Sequence, residues 1–138
     1  MKLYLAAPWE FKREIGEEAK RLELLGYEIT QPWWMVEDSD DPAEGRKQAT
    51  NDLKGIEAAD VLVLYDWKSS QGKATELGFA VGRFKPALYV TSETSSNVFR
   101  HHPYVLAVKY GPELDSTLRT IHYLMLIESI RPLSVIWR

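Results

Sequence analysis

The sequence predicts an α/β fold: a single flavodoxin-like domain over residues 1–138, with about five parallel strands and helices on both faces. Three observations carry this. Strand-like and helix-like segments alternate along the chain, which implies βαβ units. The run Val61 to Tyr65 is β-branched and apolar without alternation, as in a strand buried on both faces of a parallel sheet. The length of 138 residues suits one domain but not a full dinucleotide-binding fold.

Each element has its own signal. Leu3 to Ala7 is a short apolar run closed by Pro8, which reads as a buried first strand. Phe11, Ile15, Leu22 and Leu25 recur at helical spacing, and Gly26 supplies the stop. Tyr27 to Thr30 is a second short strand. Gln31 to Gly45 is polar and contains Pro, except for Trp33-Trp34-Met35, and reads as a long loop of the kind that carries function. Ala49, Leu53 and Ile56 mark a helix before the strand Val61 to Tyr65. Trp67 to Gly72 is a loop, and Ala74, Leu77, Val81 and Phe84 mark the next helix. Ala87 to Val90 and Val105 to Val108 complete the strands, and Leu114 to Ile130 forms the last helix. In such a sheet, ligands bind beyond the carboxyl ends of the strands. The loops that begin near Ala7, Gln31, Asp66 and Thr91 should therefore bear the chemistry.

Composition removes several function classes. A hydrophobic fraction of 45% with five Trp supports a packed core. The net charge of −3 gives no broad pull toward a nucleic acid polymer or an anionic membrane. With no Cys, disulfides, thiol catalysis and thiolate metal sites are excluded. His101, His102 and His122 lack metal spacing and acidic partners at i+3 or i+4, so neither a metal nor a cofactor is expected. No G-x-S-x-G, Walker loop or G-x-G-x-x-G is present. No apolar run approaches the roughly 20 residues that span a bilayer. The start, Met1-Lys2-Leu3-Tyr4, is charged too early for a signal peptide, so a cytoplasmic protein is expected.

The segment Ser69-Ser70-Gln71-Gly72-Lys73-Ala74-Thr75-Glu76 holds the leading candidate. Glu76 falls about one turn into a helix that begins near Gly72, where the macrodipole favours an ionised carboxylate. Such a carboxylate suits a glycosyl nucleophile, which must collapse onto an oxocarbenium-like carbon. It equally suits a residue that merely complements the dipole. Asp52, beside Leu53 and Ile56, reads either as a group that bonds or protonates a base or as part of a solvated helix face. Asp60, directly before a strand, reads as structural. Tyr4 and Trp9 flank the end of the first strand, where a hydroxyl can orient a carboxylate and an indole can stack on a base, or where both simply pack. Trp33 and Trp34 cover either a site or the rim of the core. Ser69, Ser70 and the backbone N–H groups at the Gly72 helix start could hold a phosphate.

Taken in order, three segments resemble the nucleoside 2-deoxyribosyltransferase family, including the related 2′-deoxynucleoside 5′-monophosphate N-hydrolases. Leu3-Tyr4-Leu5-Ala6-Ala7-Pro8-Trp9 is similar to the family's first strand and its aromatic loop. Asn51-Asp52-Leu53-Lys54-Gly55-Ile56-Glu57-Ala58-Ala59-Asp60 is similar to its Asn-Asp helix. Gly72-Lys73-Ala74-Thr75-Glu76-Leu77-Gly78-Phe79-Ala80 resembles its Gly-x-x-x-Glu-Leu-Gly-x-Ala signature. The resemblance implies that Glu76 attacks the anomeric carbon, Tyr4 orients it, Asp52 handles the base or its proton, and Trp9 lines the base pocket. It also implies a nucleoside or nucleotide and a free nucleobase as partners, and a homo-oligomer that completes its sites across subunits. The apolar run Tyr123-Leu124-Met125-Leu126-Ile127 fits such an assembly, or else is buried by the terminal Val135-Ile136-Trp137. Where the transferases carry an Asp six residues before the nucleophile, this chain has Ser70, as the monophosphate hydrolases do. Near the C-terminus, Asn97-Val98-Phe99 and His101-His102-Pro103 resemble short phage and bacterial members.

Three functions follow as expectations. The first is deoxyribosyl transfer between bases through a glycosyl-Glu76 intermediate. The second is hydrolysis of a 2′-deoxynucleoside 5′-monophosphate. The third is a non-catalytic nucleotide-binding or sensing domain.

Overall fold

The computed structural model describes residues 1–91 and 98–130. Asn97 and the terminal Val135-Ile136-Trp137 lie outside the described residues. The elements run β1 (Lys2–Ala6), α1 (Lys12–Leu24), β2 (Glu28–Ile29), α2 (Pro42–Ala58), β3 (Val61–Tyr65), α3 (Gln71–Gly82), β4 (Ala87–Val90), β5 (Val105–Val108) and α4 (Pro112–Ile130). The five strands form one parallel sheet in the order β2-β1-β3-β4-β5, the flavodoxin-like arrangement. Strands β3 and β4 are buried at every position, and β1 is buried from Leu3 onward. That explains why their sequences are continuous apolar runs.

Right-handed crossovers put α1 and α4 on one face of the sheet and α2 and α3 on the other. The contacts agree. Arg21 of α1 makes a two-oxygen ion pair with Asp115 of α4 at 2.9 Å, while α2 packs against α3. Tyr4 pairs in register with Leu62 of β3, so both point toward α2 and α3. Asp60 is structural, its carboxylate accepting from Lys2 N at 2.8 Å.

Local chemistry moves several boundaries. The long loop ends at Asp41 rather than Gly45, because the Asp41 carboxylate caps α2 by accepting from Ala43 N at 2.9 Å, with Pro42 next. Within that loop, Trp33 is buried and donates from Nε1 to the Leu5 carbonyl at 2.7 Å, so it belongs to the core rim. Gly26 stops α1 as expected: at φ 96° it directs Tyr27 N back to the Leu22 carbonyl. Leu25, expected on the buried stripe, is exposed because the helix has already ended. Phe84, expected in the helix stripe, lies beyond α3 at φ 58° and is exposed; it takes the left-handed position that unwinds the helix. The buried stripe of α3 is instead Lys73, Leu77 and Ala80. Among the described residues, no helix is long and apolar enough to cross a membrane.

Candidate active site

Tyr4, Asp52 and Glu76 come from three elements and converge on the α2–α3 face of the sheet. Tyr4 lies in the middle of β1, fully buried rather than at the strand end. Asp52 is on α2, one turn before Gly55, and Gly55 is what lets that helix lie close. A Cβ there would stand 2.5 Å from Gln31 Cβ and 3.1 Å from the Tyr4 ring. Glu76 sits near the middle of α3, which descends from the carboxyl end of β3. The three meet beside the β1/β3 switch point, where open α/β sheets bind ligands.

Their protonation is linked. Burial pushes the Glu76 carboxyl up to about 8, against the Tyr4 hydroxyl, which favours the ionised form, and with help from the Asp52 charge. This differs from the expectation that the helix dipole keeps Glu76 ionised: loss of water outweighs the dipole. Burial likewise raises Asp52 to about 6, although Gln31 and Gln48 both donate to it and pull the other way. Burial and then the charges of Glu76 and Asp52 push the Tyr4 hydroxyl up, so it stays a proton donor. Tyr4 Oη and Glu76 Oε2 are shut off from solvent and neither makes a well-formed hydrogen bond, yet the two groups lie near enough for the Tyr4 hydroxyl to favour the Glu76 carboxylate. Two buried polar atoms left open side by side are rare in a finished core and common in a site awaiting a ligand.

Gln31 and Gln48 were not singled out by sequence reasoning. Their side-chain amides reach Asp52 Oδ1 at 3.5 Å and 2.7 Å. The i, i+4 spacing of Gln48 and Asp52 on one helix is a signal that could have found the second. Gln31 approaches from the end of β2, so only the fold brings it there.

The remaining candidates lie at the start of α3 and on the rim. Ser70 is the N-cap of α3, its Oγ accepting from Lys73 N at 3.3 Å, and it lies about 9 Å along the helix axis from Glu76. Ser69 and Gly72 are exposed beside it. Lys73 braces this loop: it is buried, and it donates to Asp66 at 2.6 Å and to the Lys68 carbonyl. Trp9 joins a separate assembly. It stacks on Trp33 at 5.7 Å, carries the Lys12 ammonium 3.9 Å from its ring centroid, and donates to Asp38 at 2.6 Å. A cavity of about 370 Å³ on the α1–α4 face, lined by Glu14, Glu17, Glu18, Arg21, Trp67 and Tyr110, contains none of the candidate residues.

Comparison with known proteins gives a consistent picture. The family model for nucleoside 2-deoxyribosyltransferase matches residues 3–115. No curated protein sequence gives a significant match. Among solved structures, the chain is similar to a 2-deoxyribosyltransferase from the psychrotolerant bacterium Bacillus psychrosaccharolyticus, with 23% identity and a TM-score of 0.61. That match covers 72% of this chain and 79% of the other. It is also similar to the CMP N-glycosidase BcmB of Clostridium botulinum, with 18% identity and a TM-score of 0.59, covering 89% of this chain and 99% of that one. At these identities the structural likeness is one of fold.

Proposed function

The chain belongs to the nucleoside 2-deoxyribosyltransferase family, enzymes that act on N-glycosidic bonds, and from that premise we propose that it cleaves a 2′-deoxynucleoside through a glycosyl-Glu76 intermediate and passes the deoxyribosyl group to another base. The observation that carries this reading is the convergence of Tyr4, Asp52 and Glu76, with Tyr4 Oη and Glu76 Oε2 buried and unsatisfied. Between about pH 6 and pH 8 the two carboxyls together hold one proton. At rest that proton sits on Glu76, the group with the higher value; the productive arrangement is the less populated one, with the proton on Asp52 and Glu76 charged.

The steps then balance. A Glu76 oxygen bonds to the anomeric carbon as the carbon–nitrogen bond breaks. The leaving base takes the bonding pair and the Asp52 proton. A ring nitrogen of the acceptor base next attacks the same carbon, gives its proton to Asp52, and returns Glu76 as a carboxylate. Tyr4 donates toward Glu76 and holds its orientation. The family resemblance assigns Trp9 to the base pocket, and its own contacts are with Trp33, Lys12 and Asp38. Ser69, Ser70 and the amides at Gly72 bind the far end of the sugar, since the first-turn N–H groups of a helix have no helical carbonyl to bond.

A second reading, hydrolysis of a 2′-deoxynucleoside 5′-monophosphate, is favoured by Ser70. As N-cap it accepts from Lys73 N, which leaves its own hydroxyl proton to donate to a phosphate. Water then replaces the acceptor base. The test is to incubate the protein with the four deoxynucleosides and, separately, with their 5′-monophosphates, each with and without a second base. Products are followed by liquid chromatography. A swapped nucleoside formed only with acceptor supports transfer. Free base from a monophosphate without acceptor supports hydrolysis, and Ser70→Asp should then damage monophosphate turnover far more than nucleoside turnover. No product from any mixture would favour a nucleotide-binding domain instead. We further propose that the enzyme works as a homo-oligomer, on grounds argued below.

A further inference from the structure

Asp52 is held unevenly. Both amides that reach it, from Gln31 and Gln48, donate to Oδ1, and among the described residues no hydrogen bond reaches Oδ2. The two bonds differ in quality. Gln48 at 2.7 Å is a short bond to a charged acceptor, whereas Gln31 at 3.5 Å is at the limit of one. Gln48 stands four residues earlier on α2, so its amide meets the carboxylate along one helix face. An Asp side chain left alone on a helix turns freely about its terminal torsion, which is broad and roughly two-fold. A short bond to one oxygen removes that freedom and decides which oxygen looks into the site.

We propose that Gln48 is a positioning residue for the reaction: by fixing Oδ1 of Asp52 it presents Oδ2 to the base and sets the carboxyl plane for proton transfer. This rests on the reading of Asp52 given above. Its consequence is electrostatic as well as geometric. An N–H donor stabilises the charged carboxylate, so losing it makes Asp52 harder to ionise. The other titratable groups facing Asp52 are Glu76 of α3 and Tyr4 of β1; the Asp52 charge raises both of them, whereas Asp52 itself is raised by burial. Of the two donors that oppose burial, Gln48 makes the shorter bond.

The test compares wild type with Gln48→Met, which keeps length and helix propensity and removes only the donor. Base release from deoxynucleosides and their 5′-monophosphates is measured from pH 5 to pH 9, in wild-type and Asp52→Ala backgrounds. The expected result is a roughly 10-fold fall in kcat/KM, the size of one good hydrogen bond, with little change in melting temperature. The acid limb of the pH profile should move to higher pH. In the Asp52→Ala background, Gln48→Met should add no further loss. Wild-type behaviour of Gln48→Met beside a crippled Asp52→Ala would overturn the proposal and leave the role of Asp52 standing. An equal loss in both backgrounds would also overturn it, since Gln48 would then act independently. Full activity in Asp52→Ala would instead overturn the reading of Asp52 itself.

Discussion

Glu76, the proposed nucleophile, carries opposite demands on folding and on that chemistry. Its carboxyl is held near 8 in the folded chain, against an ordinary value of 4.5. A carboxyl raised by folding binds its proton more tightly in the native state. Its contribution to stability is therefore complete below the unfolded value and is lost as pH rises through about 8. Glu76→Gln keeps the shape and removes that loss. It should melt roughly 3–6 °C higher than wild type at pH 9 and nearly level with it at pH 5, read by circular dichroism. The same variant should lose at least about 1,000-fold in base release, because an amide cannot bond to the anomeric carbon and leave again. A variant that is both less stable at pH 9 and still active would contradict this account of the residue. Wild-type kcat/KM should be bell-shaped, with limbs near the two carboxyl values of about 6 and about 8. A profile flat from pH 5 to pH 9 would remove the Asp52–Glu76 pair from the mechanism.

At the scale of elements, the site depends on how closely α2 lies on β1 and on the end of β2. Thr30 Oγ1 donates to the Gly55 carbonyl at 2.7 Å, and Lys85 Nζ closes the end of α2 by donating to the carbonyls of Glu57 and Ala59. Gly55 is the point of closest approach, where an added Cβ would strike the Gln31 Cβ and crowd the Tyr4 ring. Gly55→Ala must therefore lift α2, although Ala is the better helix former. The expected cost is about 1–3 kcal/mol in chemical denaturation, with a larger proportional loss of activity as Asp52 moves away from Glu76. A stabilised and fully active Gly55→Ala would show that the helix has slack. A second element-scale device is the brace from Lys73 to Asp66, which explains how a lysine occupies a buried stripe position: its charge is paired at 2.6 Å within the loop that bears Ser69 and Ser70.

For the molecule as a whole, exposed apolar side chains gather in one region of the described residues. Leu114 and Leu118 in the first half of α4 are fully buried, but Tyr123, Leu124 and Leu126 in its second half are exposed. Leu106 on the edge strand β5 is exposed as well, with Tyr104 and Tyr110 at its two ends. Among the described residues, exposed apolar side chains on a helix and a strand paired on one side only are the usual marks of an assembly surface. We expect a homo-oligomer in light scattering at assay concentration. Replacing Tyr123 and Leu124 together by Glu should lower the mass toward that of one chain, 15.9 kDa. A wild-type monomer would refute the expectation.

The sequence alone determined the strand and helix order, because two-sided burial writes itself as unbroken apolar runs in β3 and β4, and a φ of 96° calls for the glycine at residue 26. It also pointed to Tyr4, Asp52 and Glu76 before their meeting was visible, through ordered motifs on three separate elements. Other features were illegible for a physical reason. The approach of Gln31 to Asp52, the burial of Trp33 on the Leu5 carbonyl and the Lys73–Asp66 pair depend on where separate elements come to rest. Phe84 and Leu25 fit helical spacing yet fall beyond helix ends fixed by capping. The charge state of Glu76 was the most instructive case. Its position on a helix favours ionisation, and that much is local; the burial that overrides it is a sum over neighbours from the whole fold, so only the tertiary structure could decide it.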